Sequence, residues 1–189
     1  NTRSIENFSM ENSTFKSESA NQKYIISLGA STSQDYKNIV FKNNVFYCPE
    51  GKVNQFGLFV GSKAGMANCV LENNTFVNLE TATTGMVYVD KLADISVKNN
   101  IFWTNTAGAN ACIIFRPVTT SPSGTTCVNN IVYKTMTFNW QMFYGGKAPF
   151  EGMEQLNILE ANPFDGGTFD LANGIFVPNA EYAEYGATN

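Results

Sequence analysis

Apolar and polar residues alternate along this chain in short runs, and five of the runs share one phrase. They read MENSTF (10–15), FKNNVF (41–46), LENNTF (71–76), VKNNIF (97–102) and CVNNIVY (127–133). With the first Asn of each phrase as origin (Asn12, Asn43, Asn73, Asn99, Asn129), the copies lie 31, 30, 26 and 30 residues apart. Apolar residues fall two positions earlier at Met10, Phe41, Leu71, Val97 and Cys127. Most copies repeat this four positions earlier, at Phe8, Ile39, Cys69 and Ile95, with Thr125 in the fifth. The residues between are mostly polar: Glu11, Lys42, Glu72 and Lys98. A period of two predicts a strand with one buried face. Phe15, Phe46, Phe76, Phe102 and Val132 follow three residues after the origin, so the chain is expected to turn at the Asn pair and re-enter the core.

Each repeat carries a second apolar run: YIISL (24–28), FGLFV (56–60), MVYV (86–89), CIIF (112–115) and WQMFY (140–144). The segments between are rich in Gly, Ser, Thr and Asn, which is turn chemistry. A short helical turn is expected within 147–159 and no other helix. A period of about 29 residues with two clear strands and a short third fits one coil of a parallel β-helix, with successive coils stacked about 4.8 Å apart. Stacking predicts an asparagine ladder at Asn12, Asn43, Asn73, Asn99 and Asn129, whose amides pair from coil to coil. A second polar column, Asn7, Asn38, Asn68 and Asp94, is expected to turn the chain into the strand. Leucine-rich repeats lack their closely spaced Leu here. A β-propeller needs four strands per repeat, and a β-sandwich does not explain in-phase Asn. The fold class expected is therefore all-β, a single-stranded parallel β-helix solenoid of about five to six coils.

These phrases, with KNNVFY and ENNTF foremost, resemble the repeats of right-handed parallel β-helix proteins of the pectate-lyase-like and chondroitinase-B-like superfamily. The ending Asn162-Pro163-Phe164, then Thr168-Phe169-Asp170-Leu171 and Tyr185-Gly186-Ala187, is similar to the terminal coil of many secreted members. The resemblance covers most of residues 5–187. It implies a right-handed coil and a domain of the kind that Bacteroidetes secrete or anchor at the cell surface. Domain organisation is read as one β-helix domain over 1–189, with a terminal coil and tail at 160–189. The chain is expected to be a fragment or C-terminal part of a longer secreted, periplasmic or surface protein.

Composition narrows the chemistry. The chain has 189 residues, 43% hydrophobic and 15% charged, with a net charge of -4. It contains no Lys/Arg block, which argues against nucleic acid as partner. No apolar run reaches membrane-spanning length. There is no His, which removes imidazole as base or ligand. The four Cys, at 48, 69, 112 and 127, lack CxxC spacing, so thiol-based zinc or redox chemistry is not expected, while a disulfide between neighbouring turns stays open. A monomer is expected.

Two columns carry candidate ligand chemistry. A cation follows each second strand: Lys63, Lys91, Arg116 and Lys147. Such a ridge suits the carboxylates or sulfates of an acidic polysaccharide, although one charged turn residue per coil needs only solvent. One position past the core Phe stand Lys16, Tyr47, Val77, Trp103 and Tyr133. If these face outward, Tyr47, Trp103 and Tyr133 form a stacking platform for sugar rings; if inward, they are core. The resemblance implies that lyases of this fold abstract a sugar C5 proton with Lys or Arg. They neutralise the carboxylate with Ca²⁺ or another cation. On that basis Lys91 and Arg116 are the catalytic candidates, beside Asp90 and Asp94. No calcium cage of three acids is present in the sequence, so no cofactor is expected unless the chain is a lyase. Glycoside hydrolysis, which needs paired carboxylates, finds no match. Three functions remain: a non-catalytic carbohydrate-associated domain, a lyase of uronic-acid glycans, and an adhesin-like repeat.

Overall fold

The computed structural model describes residues 5–18, 24–29, 35–49, 56–61, 65–78, 87–90, 95–104, 113–116, 126–134 and 157–188. Its strands are β1 (Ile5–Glu11), β2 (Thr14–Lys16), β3 (Tyr24–Gly29), β4 (Asp35–Lys42), β5 (Val45–Tyr47), β6 (Phe56–Gly61), β7 (Gly65–Glu72), β8 (Thr75–Val77) and β9 (Val87–Asp90). They continue with β10 (Ile95–Lys98), β11 (Ile101–Thr104), β12 (Ile113–Arg116), β13 (Thr126–Val128), β14 (Ile131–Lys134), β15 (Asn157–Leu159), β16 (Thr168–Asp170) and β17 (Ile175–Val177). No α-helix occurs among the described residues. Asn157–Leu159 is a strand rather than part of the short helix expected there, and 147–156 lies outside the described residues.

Up to β14 every third strand pairs, and β15 then pairs with β14. The first sheet runs β1-β4-β7-β10-β13, the second β2-β5-β8-β11-β14-β15 and the third β3-β6-β9-β12. All of these pairs are parallel, and β16 and β17 form a separate antiparallel hairpin. The register stacks the repeats as the phrase demands: Met10, Phe41, Leu71, Val97 and Cys127 are successive partners in the first sheet. All-parallel sheets with sequential strand stacking are compatible with a β-helix.

The interior between the sheets is apolar and aromatic. Phe15, Phe46, Phe76 and Phe102 stack at centroid spacings of 5.1, 5.0 and 5.0 Å, with interplanar angles of 17°, 6° and 4°. Parallel in-register pairing forces this offset-stacked geometry and adds to the burial of each ring. Ile39, Phe41, Leu71, Ile95 and Val97 close the core from the first sheet, and Leu58 and Val87 from the third. Cys48, Cys69 and Cys127 are buried thiols outside any disulfide.

The Asn pair divides its labour differently from the sequence-based expectation. The first Asn of each pair is the corner. Asn12, Asn43, Asn73, Asn99 and Asn129 all have φ between 51 and 56°. Asn tolerates the left-handed region better than other residues with a Cβ. That single left-handed residue reverses which way the next side chain points, so the second Asn faces inward. The buried ladder is therefore Asn44, Asn74, Asn100 and Asn130, of which the first three are 0% exposed. Each Oδ1 accepts from the backbone N–H of the preceding level: Ser13 to Asn44 at 3.1 Å, Asn44 to Asn74 at 3.1 Å, Asn74 to Asn100 at 2.9 Å and Asn100 to Asn130 at 3.1 Å. Each Nδ2 donates back to a carbonyl of that preceding level: Met10, Phe41, Leu71 and Val97, at 2.7, 3.0, 2.9 and 2.9 Å. One amide thus clips both main-chain groups of a buried corner.

The column Asn7, Asn38 and Asn68 also departs from expectation. These residues lie inside β1, β4 and β7 as left-handed bulges, with φ of 57, 54 and 60°. Their exposed amides form a ladder, Asn38 donating to Asn7 at 2.7 Å and Asn68 to Asn38 at 2.9 Å. Asp94 lies outside the described residues.

Candidate functional site

The aromatic column does point away from the Phe stack, as the alternation demands. Tyr47, Val77, Trp103 and Tyr133 are successive register partners on the opposite face of the second sheet. The tail returns over that face and covers it. Tyr47 is 4% and Trp103 6% exposed, within a second apolar core completed by Phe164, Phe176 and Ala187. Trp103 lies 4.5 Å from the Phe169 ring and donates its indole N–H to Asn162 Oδ1 at 3.1 Å. Tyr47 meets Phe176 edge-on at 5.6 Å. Tyr133 is half-buried, 6.2 Å from Trp103. The sugar-stacking platform expected at these three residues is instead an internal interface between the second sheet and the hairpin.

Close approach explains the glycines of this cover. Gly174 has φ 70°, and a Cβ there would sit 2.6 Å from the Tyr47 ring. Gly186 also has φ 70°, and its Cβ would meet Thr75 Oγ1 at 2.5 Å and Ile101 Cδ1 at 2.7 Å. The end of the tail crosses the corners from level to level. Gly186 N–H donates to Asn99 O at 2.7 Å and Ala187 N–H to Thr75 Oγ1 at 2.9 Å. Asn73 Nδ2 donates to Glu184 O at 2.9 Å, and Thr188 N–H donates to Asn43 Oδ1 at 2.7 Å.

Of the basic column, Lys63, Lys91 and Lys147 lie outside the described residues. Arg116 ends β12, and its backbone is in register with Asp90 at the end of β9. No group of three or more His, Cys, Asp or Glu among the described residues is arranged to hold a metal. Burial pushes the Cys69 thiol up to about 12, which leaves it protonated and a poor nucleophile.

A polar groove opens where the tail ends its crossing. It encloses about 290 Å³ and is lined by Glu11, Asn12, Lys42, Asn43, Asn73 and Thr188. Glu11 and Lys42 face each other across the β1–β4 pair, one residue before the left-handed corners. Asn43 Nδ2 donates to Asn12 Oδ1 at 2.6 Å, and Ser9 Oγ donates to Glu11 Oε1 at 2.5 Å. The Lys42 ammonium and Asn12 Nδ2 have no partner among the described residues, and Glu11 makes no ion pair there. The groove therefore combines uncommitted donors with a carboxylate acceptor. It escaped the sequence reading because Glu11 and Lys42 register there only as the polar half of an alternation. Nothing local shows that Thr188, 146 positions after Lys42 in the numbering, forms the wall.

No protein-family model matches the chain, and no curated protein or solved structure is found to be similar to it. No helix among the described residues is long and apolar enough to cross a membrane.

Proposed function

We propose that the chain is a right-handed parallel β-helix of five to six coils, of the pectate-lyase-like and chondroitinase-B-like kind. In this reading it works as a non-catalytic, carbohydrate-associated domain of a secreted or cell-surface protein. The observation that carries the reading is the groove at the first three corners. Sugar hydroxyls donate and accept at once. A wall that offers an ammonium, a carboxylate and amide groups around about 290 Å³ matches a ring bearing several hydroxyls better than it matches an ion of one sign. A longer glycan would follow the corner column across levels.

The test is a glycan array of neutral and acidic polysaccharides, with and without Ca²⁺, followed by calorimetry on the strongest hit. Lys42→Ala and Glu11→Gln are each expected to weaken binding about tenfold, the loss of one charge-assisted hydrogen bond. Binding untouched by both changes removes the groove from the reading, and an array without hits removes the carbohydrate.

One observation favours a lyase as second reading. The backbone register sets Arg116 beside Asp90, the residue before Lys91, at one edge of the third sheet. Unsaturated sugar ends that accumulate with the wild-type chain and vanish in Lys91→Ala or Arg116→Ala would establish it.

A further inference from the structure

The turn between β16 and β17, at 171–174, ends on the one Asn-Gly step of the sequence, Asn173-Gly174. Asparagine is a chemically labile residue, and most so before glycine, where no Cβ shields the next nitrogen from the side-chain amide. Asn173 is exposed. The Gly174 N–H donates to no group among the described residues, so no hydrogen bond there ties up its nitrogen.

Asp170 stands against the reaction. Its carboxylate accepts from Asn173 Nδ2 at 2.7 Å and from the Asn173 N–H at 3.0 Å. The first bond fixes the side chain and pushes electron density into the amide, which makes its carbon a weaker electrophile. The same negative charge opposes the anion that forms when a nitrogen adds to that carbon. The turn also lies against the aromatic face of the second sheet. Gly174 is buried with φ 70°, and the Tyr47 ring leaves no space for a Cβ on it. Phe176, two residues on, meets the same ring.

We infer that Asn173 is a modification site, where the Gly174 nitrogen converts the amide to aspartate and isoaspartate, that the Asp170 carboxylate holds this reaction back, and that the product frees the tail from the second sheet. The Gly174 nitrogen bonds to Asn173 Cγ, the Cγ–Nδ2 bond breaks, and the Gly174 proton leaves with the ammonia. Water then opens the cyclic imide at either carbonyl. One opening gives aspartate. The other gives isoaspartate, whose main chain runs through Cγ and is longer by a methylene. Either product loses the donor to Asp170 and sets a second carboxylate against it. The longer main chain also drives Gly174 into the Tyr47 ring.

The test is incubation of the intact chain at neutral pH and body temperature, with peptide mapping by mass spectrometry and electron-transfer fragmentation to tell the two acids apart. Asn173 should react ahead of every other asparagine. In urea, where Asp170 no longer holds the amide, the wild-type chain should react faster than when folded. Asp170→Asn keeps an acceptor and removes the charge. It should speed the folded chain about tenfold, the weight of one charge-assisted hydrogen bond, and have no effect in urea. Limited proteolysis should cut 160–188 faster in the modified chain than in the fresh one. It should also cut Asn173→Asp faster than Asn173→Ala, which loses the same donor without adding a charge. Another asparagine reacting first, equal wild-type rates folded and in urea, an unchanged rate in folded Asp170→Asn, or a modified tail as resistant as a fresh one overturns the inference. The wild-type comparisons decide it even where Asp170→Asn fails to fold.

Discussion

Replacement of Asn100 by Ala removes one clip of the buried ladder and nothing of the corner. The Asn74 N–H loses the acceptor it holds at 2.9 Å, and Leu71 C=O loses the donor it holds at 2.9 Å. Asn74 Nδ2 retains Phe41 O, and Asn130 Oδ1 retains the Asn100 N–H, so these two groups stay satisfied. The buried Asn74 N–H is left without its acceptor, at about 1–3 kcal/mol, while Leu71 C=O keeps its place in the β7–β10 ladder, so the expected loss is about 2 kcal/mol. Asn99 is the control. Its side chain is outside the clip and its φ is 54°, so Asn99→Gly keeps the corner without steric cost and should change stability by less than about 1 kcal/mol. Urea unfolding followed by far-ultraviolet circular dichroism compares the two. Stacked repeats can open level by level, so both variants need hydrogen exchange at the neighbouring amides as a second readout. If Asn99→Gly is as damaging as Asn100→Ala, the assignment of corner and clip is wrong.

Three further outcomes test other parts of the structure. Gly186→Ala forces a Cβ to within 2.5 Å of Thr75 Oγ1 in a left-handed backbone. It should loosen the tail and expose the Trp103 face, read as faster limited proteolysis of 160–188 and increased acrylamide quenching of tryptophan fluorescence. Asp170 lies below the usual carboxylate range, because the Asn173 side-chain amide and then its N–H, with the Ala172 N–H after them, bond the charged form. A depressed folded value stabilises above the unfolded carboxylate pKa of about 4, and the contribution is lost as pH falls through the folded value. Asp170→Ala should therefore flatten the acid limb of the stability profile of the β16–β17 hairpin, measured by tail proteolysis against pH. In a Cys112→Ser chain, a disulfide-exchange reagent should leave Cys48, Cys69 and Cys127 unmodified until urea unfolds the protein, since all three are fully buried.

The strands of the first and second sheets were legible because alternation is a local signal, and the phrase repeats it five times. The Phe stack followed from the same register, and four of the second apolar runs coincide with β3, β6, β9 and β12. Asn12 and Asn43 pair through their amides as expected, but the buried clip lies one residue later, for a specific reason. Alternation from Met10 or Phe41 puts the first Asn inward, and only a left-handed residue at that position reverses the parity. Both positions are Asn in four copies, so the column of residue types could not separate corner from clip. The first copy, Asn12-Ser13, held a hint: Ser13 replaces the inward residue, while Asn12 keeps the left-handed corner. Burial of Tyr47 and Trp103 was hidden differently, because their cover comes from 160–188, far away in sequence. Phe164, Phe169 and Phe176 supply that cover, and nothing in their spacing says which face of which sheet they seal.

The clips also have a direction. Each corner N–H at Ser13, Asn44, Asn74 and Asn100 is satisfied by a side chain from the level made after it, never before it. As the chain leaves the ribosome, a newly made corner keeps a dangling N–H and carbonyl until some 26 to 31 further residues have emerged. Closure of this wall therefore trails synthesis by one repeat. A pause of translation within a repeat strands the preceding corner in water, where a chaperone or a protease can reach it.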